Sequence, residues 1–101
     1  MWIFAMFDLP VKEPEERQEY IRFRTALLRE GFTMLQYSVY ARYCAGEEIS
    51  TRFRKSIKQA LPPGGEVRVM AVTDHQFGKM DVFHGKRKAS VESPPEQLVF
   101  L

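Results

Sequence analysis

The chain opens on an uninterrupted run of apolar and small residues, Trp2 to Phe7, which leads directly into a single carboxylate at Asp8. Pro10 follows two positions later and has no amide hydrogen with which to continue a sheet ladder. An apolar run that stops in this way predicts a central strand buried on both faces. Asp8 is then expected at the point where the strand leaves the sheet, on a rigid element but open to solvent.

Two interpretations of Asp8 are open at this point. A carboxylate at the end of a buried strand is well placed to bind a metal or to act in catalysis. Aspartate is also a common turn residue, because its side chain accepts hydrogen bonds from nearby backbone amides. The apolar run by itself favours the turn cap, since that arrangement is the more common one.

A first helix is predicted from Pro14 to Glu30, because proline is favoured at the first helical position and acids follow in the first turn. An apolar stripe runs along it, and Gly31 is expected to end it as a left-handed cap. We assign to this stripe Tyr20, Ile21, Phe23, Leu27 and Leu28. Residues 32–43 are rich in aromatic and β-branched side chains and predict two short strands with a bend at residues 36–38.

A second helix is predicted to open at Gly46 and to stop before Pro62, and residues 66–73 alternate like a fourth strand. The apolar edge of this second helix is predicted to consist of Ile49, Phe53, Ile57 and Leu61. Residues 74–80 read as a polar connection, 81–84 as a brief strand and 86–97 as a mobile loop. The apolar residues 98–101 then need burial, for which we expect a sheet edge of the same or a neighbouring chain.

This order predicts an α+β protein with the ferredoxin-like βαββαβ plan, in which one sheet is backed by two helices. We assign residues 1–80 to the core and residues 81–101 to extra strands and a basic loop for dimer or partner docking. A chain of 101 residues buries a limited core, so a homodimer would help it. No segment is apolar enough for a membrane span, and the lone Cys44 suits a cytoplasmic location.

The charge distribution says more than the net charge, which is only +2. Three segments are rich in basic side chains, and they could either face solvent or grip a phosphate backbone. The candidate nucleic-acid contacts are Arg17, Arg22, Arg24, Arg52, Arg54, Lys55, Lys58, Lys86, Arg87 and Lys88. No phosphate-binding glycine loop, zinc spacing or nucleophile elbow accompanies them.

Several short motifs together resemble CRISPR-associated protein two, the small subunit of the spacer-acquisition machinery. The resemblance is carried by Arg17, by the segments 7–10, 22–24 and 31–32, and above all by Met34 to Arg42. The segments 62–63, 65–69, 73–74, 76–80 and 95–98 resemble the branch that accompanies the single-effector, type II systems. The similarity extends over essentially the whole chain, and the order and spacing of the motifs make it specific.

The resemblance implies a homodimer in which the two copies of Asp8 lie near the two-fold axis and share Mg²⁺ or Mn²⁺. Members of the family have been described as metal-dependent nucleases that act on RNA or double-stranded DNA. The family also forms the dimeric centre of an integrase complex, in which the larger CRISPR-associated protein one cuts and joins DNA and the small subunit spans the incoming duplex.

These implications leave two functions from different classes. We favour a DNA-binding scaffold, because the motif offers one acid per chain and phosphate contacts can position a duplex of any sequence. The alternative is a hydrolase in which Asp8 binds the metal that activates water, Arg17 or Arg24 stabilises the developing charge, and Ser38 shapes the site. Tyr37 would shape the site together with Ser38 in this alternative, but for Tyr37 we favour plain sheet packing. A ferredoxin-like RNA-binding protein or toxin-like ribonuclease unrelated to CRISPR is a further alternative.

Overall fold

The strands and helices follow one another in the order that defines a ferredoxin-like α+β fold, as predicted. The computed structural model describes residues 1–95. Its elements are β1 (Trp2–Asp8), α1 (Pro14–Arg29), β2 (Thr33–Gln36), β3 (Val39–Tyr43), α2 (Glu47–Ala60), β4 (Glu66–Val72), α3 (Asp74–Gly78), β5 (Val82–His84) and β6 (Arg87–Ala89). The first four strands form one sheet in the order β2-β3-β1-β4, and all neighbours in it are antiparallel.

Strand β1 lies in the middle of this sheet and is paired along both edges, with β3 on one side and β4 on the other. Its side chains alternate between the two faces, so Ile3, Ala5 and Phe7 point toward the helices while Trp2 and Phe4 point away from them. All five are buried. The prediction of a central strand with two buried faces is therefore confirmed.

The larger core lies between the sheet and the helices α1 and α2. Phe23 and Leu27 of α1 and Ile57 of α2 pack there against β1 and the fully buried Tyr40 of β3. The Phe7 ring meets Phe23 edge-on at 5.1 Å between ring centroids and Tyr40 at 5.5 Å. These aromatic contacts fix how α1 sits over the end of β1, because they favour particular ring orientations.

Three apolar residues assigned to the core from helical spacing are instead exposed. Ile21 and Leu28 lie beside the buried stripe of α1 but face solvent, since only about a third of the helix circumference meets the sheet. Leu61 is also exposed, because α2 ends one residue earlier and the chain turns there toward Pro62. Helical spacing thus correctly predicted burial for the residues in the middle of each apolar stripe, but wrongly for these residues at its edges or end.

The opposite face of the sheet carries a second, smaller core, which the sequence interpretation missed. Residues 74–80 contain the short helix α3, whose buried Phe77 stacks on Trp2 with 4.0 Å between ring centroids. The helix begins in a capping box, in which Thr73 and Gln76 hydrogen-bond each other's backbone amide. The capping-box spacing of Thr73 and Gln76 is present in the sequence. The segment was nevertheless predicted as a connection without a helix, because most of its residues are polar.

The segment after residue 80 is more regular than predicted. Residues 82–84 do form the brief strand β5, but residues 87–89, assigned to a mobile loop, form the partner strand β6. The two make a hairpin that turns at Gly85, whose φ of 63° suits glycine. The apolar residues 98–101 and their expected docking lie outside the described residues. Within the described part of the chain, no helix is long and apolar enough to cross a membrane.

The loop before β4 gives a test of how tightly the end of β1 is held. Gly65 has φ of +85°, and a Cβ atom added there would lie 2.7 Å from the backbone oxygen of Asp8. We expect Gly65→Ala to lower the free energy of unfolding by about 1–3 kcal/mol, measured by urea denaturation. The control is Gly64→Ala, whose added Cβ has only an ordinary 3.9 Å contact with Pro10. Equal stabilities of the two variants would contradict this account.

Candidate functional site around Asp8

Asp8 lies at the exposed end of the central strand, on the sheet face that points away from α1 and α2. It is the last residue of β1, and its register partner is Glu66, the first residue of β4. Directly opposed residues of an antiparallel pair project to the same face, with Cβ atoms about 4.5–5.5 Å apart. The end of the sheet therefore presents two carboxylates side by side.

A shallow groove of about 270 Å³ surrounds this pair. The residues that line it come from three strands and one turn, and they are Met6, Phe7, Asp8, Tyr37, Ser38, Val39, Glu66 and Arg68. Of the residues named with Asp8 from the sequence, the structure thus brings Ser38 to the same groove. It does not place Arg17 or Arg24 there. The arginine that lines the groove is Arg68.

The turn between β2 and β3 forms one wall of the groove. The predicted bend is confirmed, since β2 ends at Gln36 and β3 begins at Val39. Ser38 occupies the left-handed region with φ of 65°, and its carbonyl oxygen accepts a hydrogen bond of 3.0 Å from the Phe7 amide. Tyr37 at the tip is 88% exposed, so the expectation that it packs against the sheet is wrong.

Arg68 modifies the second carboxylate of the groove. Its Nε donates a hydrogen bond of 2.6 Å to Glu66 Oε1, and this bond, together with the arginine's charge, holds the pKa of Glu66 below its usual value. The arrangement relieves the repulsion expected between two opposed carboxylates. Both side chains are exposed, so solvent screens the interaction.

Glu66 and Arg68 were not among the site residues predicted from the sequence, because both are far from Asp8 along the chain. A signal was present in the predicted topology. In a βαββαβ sheet β4 runs antiparallel to β1, so the first residue of β4 must lie near the last residue of β1. Counting back from the alternating residues of β4 would have placed Glu66 beside Asp8.

The turn-cap interpretation of Asp8 finds no support in the described part of the chain, where the Asp8 side chain accepts no hydrogen bond. Its oxygens belong to the ligand type that Mg²⁺ and Mn²⁺ prefer. Across residues 1–95 there is no cluster of three or more metal-binding side chains. Asp8 therefore fits such an ion chemically, but the groove, as far as residues 1–95 form it, supplies only this acid and Glu66, which is already bound to Arg68.

Three arginines of α1 were predicted to contact nucleic acid; they lie on the helix side of the sheet, and each of the three has a partner. Arg17 donates from one nitrogen to the carbonyl oxygens of Lys12 at 2.8 Å and Val11 at 3.3 Å, which fastens the loop after β1. Arg22 forms an ion pair with Glu19. Arg24 Nε donates to the buried Tyr40 hydroxyl at 2.8 Å. Their assignment as nucleic-acid contacts stays a prediction.

The basic residues of α2 are presented differently. All four are exposed while Ser50 and Ile57 on the other side of the helix are buried, and within residues 1–95 none of the four pairs with a carboxylate. They are Arg52, Arg54, Lys55 and Lys58. Successive members rise about 1.5 Å per residue along the helix, so the charges span roughly 9 Å. This surface, which we name the α2 basic face, is open to a polyanion.

The third basic cluster lies on the hairpin of β5 and β6. Lys86 belongs to its turn, and Arg87 and Lys88 belong to β6. All three are exposed, and Lys88 forms an ion pair of 3.2 Å with Asp81.

Cys44 is buried, and burial raises the pKa of its thiol, which makes it a poor nucleophile.

The fold and this site define a small ferredoxin-like α+β protein with an acid exposed at the end of its central strand and a basic face on its second helix. Residues 1–80 match the family described as CRISPR associated protein Cas2, and the chain belongs to that family. The type II branch of it stays a prediction.

Three relatives illustrate the similarity, and each bears the name CRISPR-associated endoribonuclease Cas2. The protein of Parvibaculum lavamentivorans is 47% identical over 98 residues, which cover 97% of both chains. That of Flavobacterium psychrophilum is 42% identical over 97% of this chain and 85% of its own. That of Ligilactobacillus salivarius is 39% identical over the full length of both.

The ion pair in the groove leads to a pH-dependent prediction. Because Arg68 lowers the pKa of Glu66, the pair stabilises the folded state above the ordinary pKa, and this contribution is lost as the pH falls through the lowered value. We expect Arg68→Ala to raise the pKa of Glu66 toward 4.5, measured by NMR titration of the side-chain carboxyl carbon. Arg54→Ala on the α2 basic face should leave it unchanged. A pKa that stays low in Arg68→Ala would refute the assignment.

Proposed function

We propose that this chain acts in CRISPR spacer acquisition as the homodimeric, DNA-binding centre of a complex with CRISPR-associated protein one. In this complex it bridges the integrase subunits and holds the incoming double-stranded spacer DNA. Membership of the Cas2 family supports the pathway. The α2 basic face is the observation that carries the DNA-binding part, because four adjacent cations without carboxylate partners in the described residues are free to meet phosphates.

The chemistry of this face suits a scaffold that must accept spacers of any sequence. Lysine and arginine contacts to phosphate oxygens fix the position of a duplex but carry no information about its bases. An exposed helix face can follow the backbone without reaching into a groove. The hairpin residues Lys86, Arg87 and Lys88 would extend the contact, and the arginines of α1 would add to it where their present partners can be exchanged.

The binding mode can be tested by replacing cations on α2. We expect the double variant Arg54→Ala with Lys58→Ala to weaken binding of a blunt duplex and to reduce the slope of log K against log salt by about 0.9 for each phosphate that is no longer neutralised. Fluorescence anisotropy over a series of salt concentrations measures both effects. Gln59→Ala, a neutral exposed position on the same helix, is the control. An unchanged slope in the double variant would mean that α2 does not face the DNA.

A second candidate function is cleavage of RNA or double-stranded DNA with the aid of Mg²⁺ or Mn²⁺ at Asp8. It is favoured by the relatives' name, endoribonuclease, and by the exposed, unbonded carboxylate at the strand end. A divalent ion there would supply charge stabilisation and a more acidic water. Asp8 of each subunit would hold the ion, while Ser38 and Tyr37 would bound the space for the nucleic acid.

The positive group nearest to this reaction would be Arg68 rather than Arg17 or Arg24, unless a second subunit brings its own arginines. Arg68 is bound to Glu66, so a phosphate entering the groove would have to compete with that carboxylate for it. The groove is also wide open to water, whereas charge stabilisation is strongest where water is excluded. These features favour the scaffold as the main function and make cleavage, where it occurs, a slow activity.

The decisive variant is Asp8→Ala, assayed in parallel for cleavage and for spacer integration together with CRISPR-associated protein one. We expect metal-dependent cleavage to fall by on the order of a hundredfold or more, because the metal ligand is removed, while integration continues. Asp81→Asn, an exposed acid beside the hairpin, is the control and should retain both activities.

Each outcome bears on one of the two functions. Cleavage that persists in Asp8→Ala would rule out the hydrolase and point to a contaminating nuclease. Integration that is absent even with the unaltered chain, while cleavage is strong, would reject the scaffold. The further alternative from the sequence, a ribonuclease or RNA-binding protein unrelated to CRISPR, is not supported, because the chain belongs to the Cas2 family.

A further inference from the structure

A second groove lies where the chain leaves β1, where α1 begins, and where the loop before β4 passes. Its volume is about 400 Å³. The apolar part of its lining includes Leu9, Tyr20 and the two prolines Pro62 and Pro63, whereas the carboxylates of Glu15 and Glu19 belong to the α1 side. It contains no lysine or arginine from the described part of the chain, although the chain as a whole is basic. We name it the acidic groove.

The walls of the acidic groove are held in place before any ligand arrives. Glu16 accepts hydrogen bonds from the backbone amides of Lys12 at 3.1 Å and Glu13 at 2.8 Å, and Arg17 holds the carbonyl oxygen of Lys12. On the other side, each proline fixes its own φ angle. A preformed groove binds a ligand at a smaller entropic cost than one that must first become ordered.

The charges of the groove decide what kind of ligand it can take. Glu15 is exposed and forms no ion pair within residues 1–95, and Glu19 pairs only with Arg22, which is itself exposed to solvent. Phosphate groups would be repelled, so this surface is distinct from the α2 basic face. An apolar floor beside the carboxylates of Glu15 and Glu19 instead complements a side chain such as leucine that has arginine or lysine as its neighbour.

We propose that the acidic groove is a docking site for an extended segment of a partner protein, in which one apolar side chain occupies the floor and flanking arginine or lysine side chains meet Glu15 and Glu19. Residues 96–101 of this chain are a poor occupant, because they contain no basic residue and begin with Glu96. The proposal does not depend on the function proposed above, since it concerns protein rather than nucleic acid.

The test is a titration of the ¹⁵N-labelled full chain, followed by NMR, with capped tripeptides as defined probes. The first probe carries leucine between two arginines, the second replaces the leucine by serine, and the third replaces both arginines by glutamates. We expect the first to cause saturable shifts at Leu9, Glu15 and Tyr20, and binding of the other two to be at least about threefold weaker, given the size of exposed ion pairs and of one buried leucine.

Two matched charge reversals separate the groove from general electrostatics. Glu15 and Glu48 are both the second residue of a helix, so Glu15→Lys and Glu48→Lys change the net charge and the helix end equally. We expect Glu15→Lys to weaken binding of the first peptide roughly three- to tenfold and Glu48→Lys to leave it within about twofold. Equal effects of the two variants overturn the proposal.

The remaining outcomes are also decisive. Absence of saturable shifts at the groove with the first peptide, or equal binding of all three peptides, overturns the proposal. Shifts at the groove that appear on concentrating the chain without peptide would show that a second copy of this chain is the occupant instead. Because none of these measurements includes nucleic acid or CRISPR-associated protein one, their failure leaves the proposed DNA-binding function untouched.

Discussion

Burial of the central strand on both faces and pairing along both edges is the constraint on which the rest of this structure depends. β1 contributes Ile3, Ala5 and Phe7 to the helix-side core and Trp2 and Phe4 to the core around Phe77. Because side chains alternate along a strand, one residue of slip would exchange the two sets, and neither core would then fit. The register that satisfies both cores also decides that Asp8 faces away from α1.

That register separates the functional groups of the protein. Asp8 meets Glu66 and Arg68 on one face, while the arginines of α1 remain on the other and serve largely as structural groups. Arg17 fastens the loop after β1, and Arg24 satisfies the hydroxyl of a fully buried tyrosine. The α1 arginines Arg17, Arg22 and Arg24 thus have three different partners. By contrast, none of the four cations of the α2 basic face pairs with a carboxylate in the described residues.

The surface is accordingly divided by charge even though the net charge is small. α1 begins with acids that belong to a preformed groove, and α2 carries cations along most of its exposed side. Positive potential spread along one helix favours association with a polyanion, whereas acids beside apolar residues favour a basic polypeptide.

How much the sequence predicted depended on whether the relevant contacts are local. The hydrophobic run of residues 2–7, the proline at the start of α1 and the glycine after it are local signals, and from them the order of strands and helices and the exposure of Asp8 could be predicted. Local signals were also present for α3 and β6, namely the Thr73 capping box and the turn at Gly85. Both segments were nevertheless predicted as a connection or a loop, because the residues around these signals are polar. The ferredoxin-like plan followed from this order.

The neighbours of Asp8 were decided by the tertiary structure alone. Glu66 and Arg68 are 58 and 60 residues away from it along the chain, and only the pairing of β4 with β1 brings them to the same groove. The exposure of Tyr37, Ile21 and Leu28 likewise depends on which surfaces the sheet and helices cover. Residue type and spacing determine which elements form, but long-range packing determines which side chains share a site, because distant residues meet only through the register of the sheet.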